Sequence, residues 1–230
     1  MILHLNLPTT GKAPYKAVIY FPGGACWYQP EFTLNPVVEP WVEAIPKSGR
    51  ALITPVYSDT FERGGGDPAR LTQKKPLDRL SEWIKDLERT IDYLETREDI
   101  DTQNIAYIGM SMGAFLGPIL APNVDRIKSL ILVSGCIRLP AAFPKPRGLF
   151  QPWVKIPTLM LNGRFDYVWP VDTHQKPLFE LMGTPPEHKK HVIYKAGHLP
   201  LPRGPMLKEI LAWLDKYQGP VNSAQTPETS

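Results

Sequence analysis

The chain has 230 residues, 43% of them hydrophobic and 21% charged, a balance that suits one globular domain with a sizeable core. Its 26 basic and 23 acidic side chains leave a formal charge of +3, too near neutrality for the broad basic face that nucleic acid binding needs. No apolar run approaches a membrane span, Met1 to Leu7 lacks the basic start and long apolar stretch of a secretory signal, and Cys26 and Cys136 have neither disulfide-framework nor zinc spacing. The expectation is a cytoplasmic protein without metal, cofactor, nucleic acid or membrane partner.

In chain order, Ile2 to Leu7 is a weak strand candidate, and Ala17 to Phe21 is the first strong one. After it comes Pro22-Gly23-Gly24-Ala25, where two glycines let the backbone approach a ligand closely, followed by Trp27 and Tyr28. Ala51 to Val56 is a second apolar strand, and Gly64 to Gly66 reads as a flexible surface loop. Leu80, Trp83, Ile84, Leu87, Ile91 and Leu94 recur three or four apart and place one stripe of a long helix against a sheet. The strand Ile105 to Gly109 then leads directly into Gly109-Met110-Ser111-Met112-Gly113 and the helix-compatible Ala114 to Leu120. Ser129 to Val133 and Thr158 to Leu161 are further strands, and Val192 to Tyr194 is a weaker one before a last helix marked by Leu207, Ile210, Leu211 and Leu214. Continuous apolar strands alternating with helices predict a mainly parallel sheet covered on both faces. One domain is expected over 1–218, with a polar tail over 219–230.

In such a sheet the functional loops lie beyond the carboxyl ends of the strands. G-x-S-x-G after a strand and before a helix is a nucleophile elbow: the serine sits on a sharp turn whose neighbouring backbones leave no room for side chains two residues away. A serine hydroxyl needs a base to take its proton, and the base needs an orienting acid. From Arg126 to Phe165 there is no Asp or Glu, so the first carboxylate after the following strand is Asp166, in Asn162-Gly163-Arg164-Phe165-Asp166, with Asp172 as the fallback. Among the histidines, His4 precedes the serine, His174 is expected to begin a helix, and His188 and His191 are expected at the surface beside the last strand. His198 follows that strand in Lys195-Ala196-Gly197-His198, a turn that can present an imidazole at the top of the sheet. The HxxH spacing of His188 and His191 lacks a further ligand, so no metal site is expected. For a developing oxyanion the expected donors are the N–H of Met112, next to the nucleophile, and that of Gly24, with Ala25 as the next choice.

With these residues assembled, the chain resembles α/β hydrolases of the dienelactone-hydrolase and prolyl-oligopeptidase-like branch, and most of all the hydrolase domains at the C-terminal end of some bacterial serine/threonine kinase chains. The stretches that carry the resemblance are Val18 to Ala25, Trp83 to Gly113, Ile156 to Pro170 and Leu178 to Gly197. It implies an α/β-hydrolase fold, carboxylic ester hydrolysis, and a triad of Ser111, Asp166 of the NGRFD stretch and His198 of the AGH turn. No kinase signature is present, so no phosphoryl transfer is implied. Such folds usually open with an antiparallel hairpin, and here only Ile2 to Leu7 precedes the central strands. At least one edge strand is therefore expected to be missing, and self-association through the open edge is expected.

The triad by itself also permits thioesterase, amidase or peptidase chemistry, and an inactive hydrolase-like binding module is the reading from another class. The interval from Gly135 to Ile156 contains Pro140, Pro144, Pro146 and Pro152, so no large cap domain is expected. Arg138, Lys145, Arg147 and Lys155 in that interval read as a solvated basic loop, with a preference for anionic substrates as the alternative. Ala25, Trp27, Tyr28, Tyr167 and Trp169 are the expected pocket walls, with Phe165 beside them, or else ordinary core packing. An open site of this kind predicts short acyl esters of roughly two to six carbons.

Overall fold

A computed structural model describes residues 1–67, 69–137 and 150–221. Seven strands, β1 (Ile2–Asn6), β2 (Tyr15–Phe21), β3 (Ala51–Val56), β4 (Ile100–Met110), β5 (Ile127–Val133), β6 (Thr158–Gly163) and β7 (Lys189–Tyr194), form a sheet in the order β1-β3-β2-β4-β5-β6-β7. All neighbours are parallel except β1, which runs antiparallel to β3 at the edge. A single antiparallel strand, β1, thus stands ahead of the parallel ones.

Strands β2 to β6 are apolar through both faces because helices cover both. On one face lie α3 (Pro76–Glu95), α4 (Met112–Leu120) and α5 (Lys176–Leu181); on the other lie α1 (Trp41–Lys47) and α6 (Arg203–Gln218). A one-turn helix, α2 (Arg70–Gln73), precedes α3. The stripe read from sequence is the buried face of α3, with Leu80, Trp83, Leu87, Ile91 and Leu94 almost wholly enclosed. Each such side chain contributes about 1.5–3 kcal/mol relative to exposure. Pro76 opens α3 at a position where its missing N–H costs nothing.

The connection from β2 leads outward to β3, and the chain then returns to lay β4 on the other side of β2. Ligands bind α/β sheets in the crevice where the strand order reverses. Here that crevice lies between the carboxyl ends of β2 and β4, which are the starts of the Pro22–Ala25 loop and the Ser111 elbow.

Three expectations need correction or restriction. His191 is not a surface residue at the margin of the last strand: β7 begins at Lys189, and the His191 ring is packed against Phe179 with its Nε2–H donating to Asn162 Oδ1 at 3.1 Å. Gly64 to Gly66 is no loose loop, because a side chain at Gly65 would lie 2.2 Å from the Gln29 carbonyl and 2.4 Å from the Phe61 nitrogen. The prolines at 140, 144 and 146 and the basic residues at 138, 145 and 147 lie outside the described residues, as does the tail from 222 onward. The whole interval between β5 and β6 is too short for a cap domain.

Candidate active site

Ser111 follows β4 with φ 49° and ψ −102°, a strained conformation that turns its side chain out of the sheet. Both flanking glycines are sterically required. A Cβ at Gly109 would lie 2.4 Å from the Gly113 carbonyl carbon and oxygen, and one at Gly113 would lie 2.1 Å from the Phe21 carbonyl. The turn is tied to its neighbours by Ser111 N–H to the Val133 carbonyl at 2.8 Å, Gly113 N–H to the Pro22 carbonyl at 3.2 Å and Tyr107 O–H to the Gly113 carbonyl at 2.7 Å. The elbow, β5 and the loop after β2 are thus one hydrogen-bonded unit.

The three residues singled out from widely separated parts of the chain meet above β4. Ser111 Oγ lies 2.9 Å from His198 Nε2, and His198 Nδ1 lies 2.8 Å from Asp166 Oδ2. Asp166 is 3% exposed, and its other oxygen accepts the Val168 and Trp169 N–H groups at 2.9 and 2.8 Å, so the carboxylate is fixed at both oxygens. An ionised carboxylate only accepts, which assigns the Nδ1 proton to the His198–Asp166 bond and leaves Nε2 to accept from the serine hydroxyl. Asp172, the fallback acid, is instead exposed and paired with Lys176 at 2.6 Å, which holds its carboxyl below the usual range.

The loop after β2 forms a single turn of tight helix over Gly24–Trp27, opened by Gly23. A Cβ on Gly23 would sit 3.6 Å from Ser111 Cβ, so this loop begins directly against the serine. Within the turn the Gly23 carbonyl accepts from Cys26, while the N–H groups of Gly24 and Ala25, at its start, have no backbone partner among the described residues. The N–H of Met112, first residue of α4, likewise has no backbone partner among the described residues, whereas that of Gly113 donates to the Pro22 carbonyl. Cys26 beside these donors is enclosed, and burial pushes its thiol far up, so it is no competing nucleophile.

The expected pocket walls divide into two groups. Trp27 and Trp169 are half-buried against the larger core layer, Trp27 stacked on Trp83 at 6.5 Å and Trp169 beside His174 at 5.6 Å. Ala25 is exposed, and Tyr28 and Tyr167 project into solvent at 61% and 86% exposure, as does Phe165 at 65%. Among the described residues, no group of three or more His, Cys, Asp and Glu side chains is placed to hold a metal ion. His188 and His191 have separate partners, Tyr217 and Asn162. No described helix is long and apolar enough to cross a membrane.

Two supports escaped the sequence reading. Gly163 ends β6, and a Cβ there would lie 1.9 Å from the Gly197 carbonyl, so the turn bearing His198 rests directly on this glycine. Gly65 and Gly66 brace the loop after β2: Gly66 N–H donates to the Trp27 carbonyl at 3.0 Å, and Gly65 faces the carbonyls of Cys26 and Gln29. That brace is anchored to α3 by buried charges. Arg79 Nε donates to Asp59 Oδ2 at 3.0 Å, and Asp86 Oδ2 accepts from Ser58 N–H and Arg63 Nη1 at 2.8 Å each. Each glycine carries a sequence cue only as a punctuator; its partner lies far along the chain.

No protein-family model matches the chain, and no curated protein matches its sequence. Solved structures do share its fold. A cold-adapted esterase from an Arctic intertidal metagenomic library, in a polyethylene-glycol-bound complex, superposes with a TM-score of 0.70 at 18% identity, over 92% of this chain and 86% of that one. A Thermus thermophilus protein, TT1662, gives 0.69 at 19% identity over 94% and 92% of the two chains. The 2,6-dihydroxy-pseudo-oxynicotine hydrolase gives 0.67 at 19% identity, over 96% of this chain and 66% of its own. At such identities the likeness establishes the α/β-hydrolase fold.

Proposed function

We propose that the chain is a serine hydrolase that cleaves short-chain carboxylic esters through an acyl-enzyme intermediate. The observation that carries this reading is the continuous hydrogen-bonded series Ser111 Oγ, His198 Nε2, His198 Nδ1, Asp166 Oδ2 at the point where the strand order reverses. In the proposed reaction His198 takes the Ser111 proton as Oγ attacks the ester carbonyl, and Asp166 stabilises the imidazolium and holds its tautomer. The oxyanion forms beside the N–H groups of Gly24 and Met112, which are free to donate. His198 then returns the proton to the departing alcohol. Water, deprotonated by the same imidazole, attacks the acyl-serine, releasing the carboxylic acid and restoring Ser111.

Preference for esters over amides draws support from the fold's company, which includes the esterase described above. The test is a fluorophosphonate probe together with p-nitrophenyl acetate. Wild type should label at Ser111 and turn over ester. Ser111→Ala should lose labelling and about 10⁴-fold or more of kcat. Folded wild type that neither labels nor hydrolyses would instead support the binding-module reading, and a Ser111→Ala protein within about tenfold of wild type would remove the serine from the mechanism.

A further inference from the structure

We propose that Ser134 is a positioning residue whose hydroxyl fixes the main chain of His198 and so sets the aim of the imidazole. The inference rests on the reading of His198 as the base, and adds a residue to it that lies outside the serine, acid and histidine loops.

Ser134 is the first residue after β5 and is fully enclosed. Its N–H continues the ladder to β6 by donating to the Leu161 carbonyl at 2.8 Å, and its Oγ donates to the His198 carbonyl at 2.6 Å across 64 residues of sequence. Its φ is +56°, which makes it one of four described non-glycine residues with positive φ; Ser111 is another. A glycine would adopt that backbone without strain, and Gly135 stands next to it. A serine held there costs about 1 kcal/mol or more of strain. The hydroxyl bond to His198 is what that side chain supplies in return.

The other restraints on the turn act before His198. Arg164 N–H donates to the Tyr194 carbonyl at 2.8 Å, Phe165 N–H donates to the Ala196 carbonyl at 2.9 Å, and Gly163 abuts the Gly197 carbonyl. These hold the approach to His198 from the β6 side. Ser134 grips the histidine's own carbonyl from the β5 side, so the Cα that carries the imidazole is fixed from both directions. With the β5-side grip removed, the His198 carbonyl loses its hydrogen bond and the main chain at His198 is held less tightly. The ring then samples positions in which Nε2 and Nδ1 cannot reach Ser111 and Asp166 together.

Ser134→Gly removes the hydroxyl and relieves the backbone strain, while Ser134→Ala removes the hydroxyl and keeps the strain. Both should lower kcat/KM on p-nitrophenyl acetate about tenfold, the size of one neutral hydrogen bond, with KM within about twofold. The low-field Nδ1 proton resonance of His198 should broaden or disappear in both. The Gly variant should melt at or above the Ala variant. If wild type shows no turnover, the hydrolase reading fails, and the Nδ1 resonance still decides whether Ser134 governs the histidine. Unchanged kcat/KM in either folded variant of an active enzyme overturns the proposal. So does a loss of activity with the Nδ1 resonance intact, or an intact resonance in an inactive protein.

Discussion

Replacing Gly163 with alanine tests the placement of the histidine turn through a contact that no side chain can relieve. The new Cβ would lie 1.9 Å from the Gly197 carbonyl oxygen and 2.5 Å from that of Ala196, where real contacts stay beyond 3.0 Å. Both opposing atoms are backbone, so one main chain must move roughly 1 Å. Gly163 itself is held by its pairing with β7 and by Gln175 Nε2 donating to its carbonyl at 3.0 Å. The turn at Ala196–His198 therefore yields. A shift of roughly 1 Å carries the Ser111–His198 bond from 2.9 Å to beyond hydrogen-bond reach. A displacement of this size costs about 10²-fold in rate, and the overpacking costs about 1–3 kcal/mol of stability. Gly197→Ala, in the same turn, is the control, because a Cβ there meets nothing within 4 Å. The assay is kcat/KM on p-nitrophenyl acetate well below each variant's melting temperature, normalised by fluorophosphonate titration. A folded Gly163→Ala enzyme within about threefold of wild type would refute the argument that this glycine seats the histidine.

Asp166→Asn should cost about 10⁴-fold in kcat by misorienting the imidazole, and Asp172→Asn, at an exposed residue paired with Lys176, should change it little; the reverse ranking would reassign the acid. Burial first, and Lys176 second, push the His191 imidazole from 6.5 down to about 4, so between those pH values the unfolded chain binds a proton that the native protein does not. Unfolding free energy should fall as pH drops through that window, by up to about 3 kcal/mol, and urea unfolding at several pH values should show His191→Gln lacking this loss; equal slopes in both proteins would exclude it. On p-nitrophenyl esters, kcat/KM should peak at roughly two to six acyl carbons, because each further methylene gains about 0.8 kcal/mol only while a wall covers it. A maximum at about twelve carbons or more would require a deep channel instead.

What the sequence determined by itself was local or a matter of elimination. Strands β2 to β6 were legible because a strand buried on both faces must be apolar throughout, and α3 because a helix against a sheet repeats its apolar residues every three or four positions. Ser111 was legible because its turn excludes side chains at two fixed neighbours. Asp166 and His198 were singled out because few acids and histidines follow the serine; the structure brings both near it, although nothing in their own local sequence requires that they meet. Both ends of β4, the start of β7 and the whole of α1 were missed, since polar residues at strand ends and Pro46 within a short helix blur the period.

The tertiary structure alone decided that β4 lies beside β2, which brings the Pro22–Ala25 loop against Ser111, and that Gly65 and Gly66 brace that loop. It alone decided that His191 is half-buried against Phe179, that Trp27 and Trp169 pack inward, and that Ser134 reaches His198. The reason is physical. Periodicity acts between near neighbours and leaves a pattern in the chain, whereas a hydroxyl that binds a distant backbone carbonyl, or a glycine pressed against a distant one, leaves no mark on the residues around it in sequence. Such contacts become visible only once the fold has brought the two segments together.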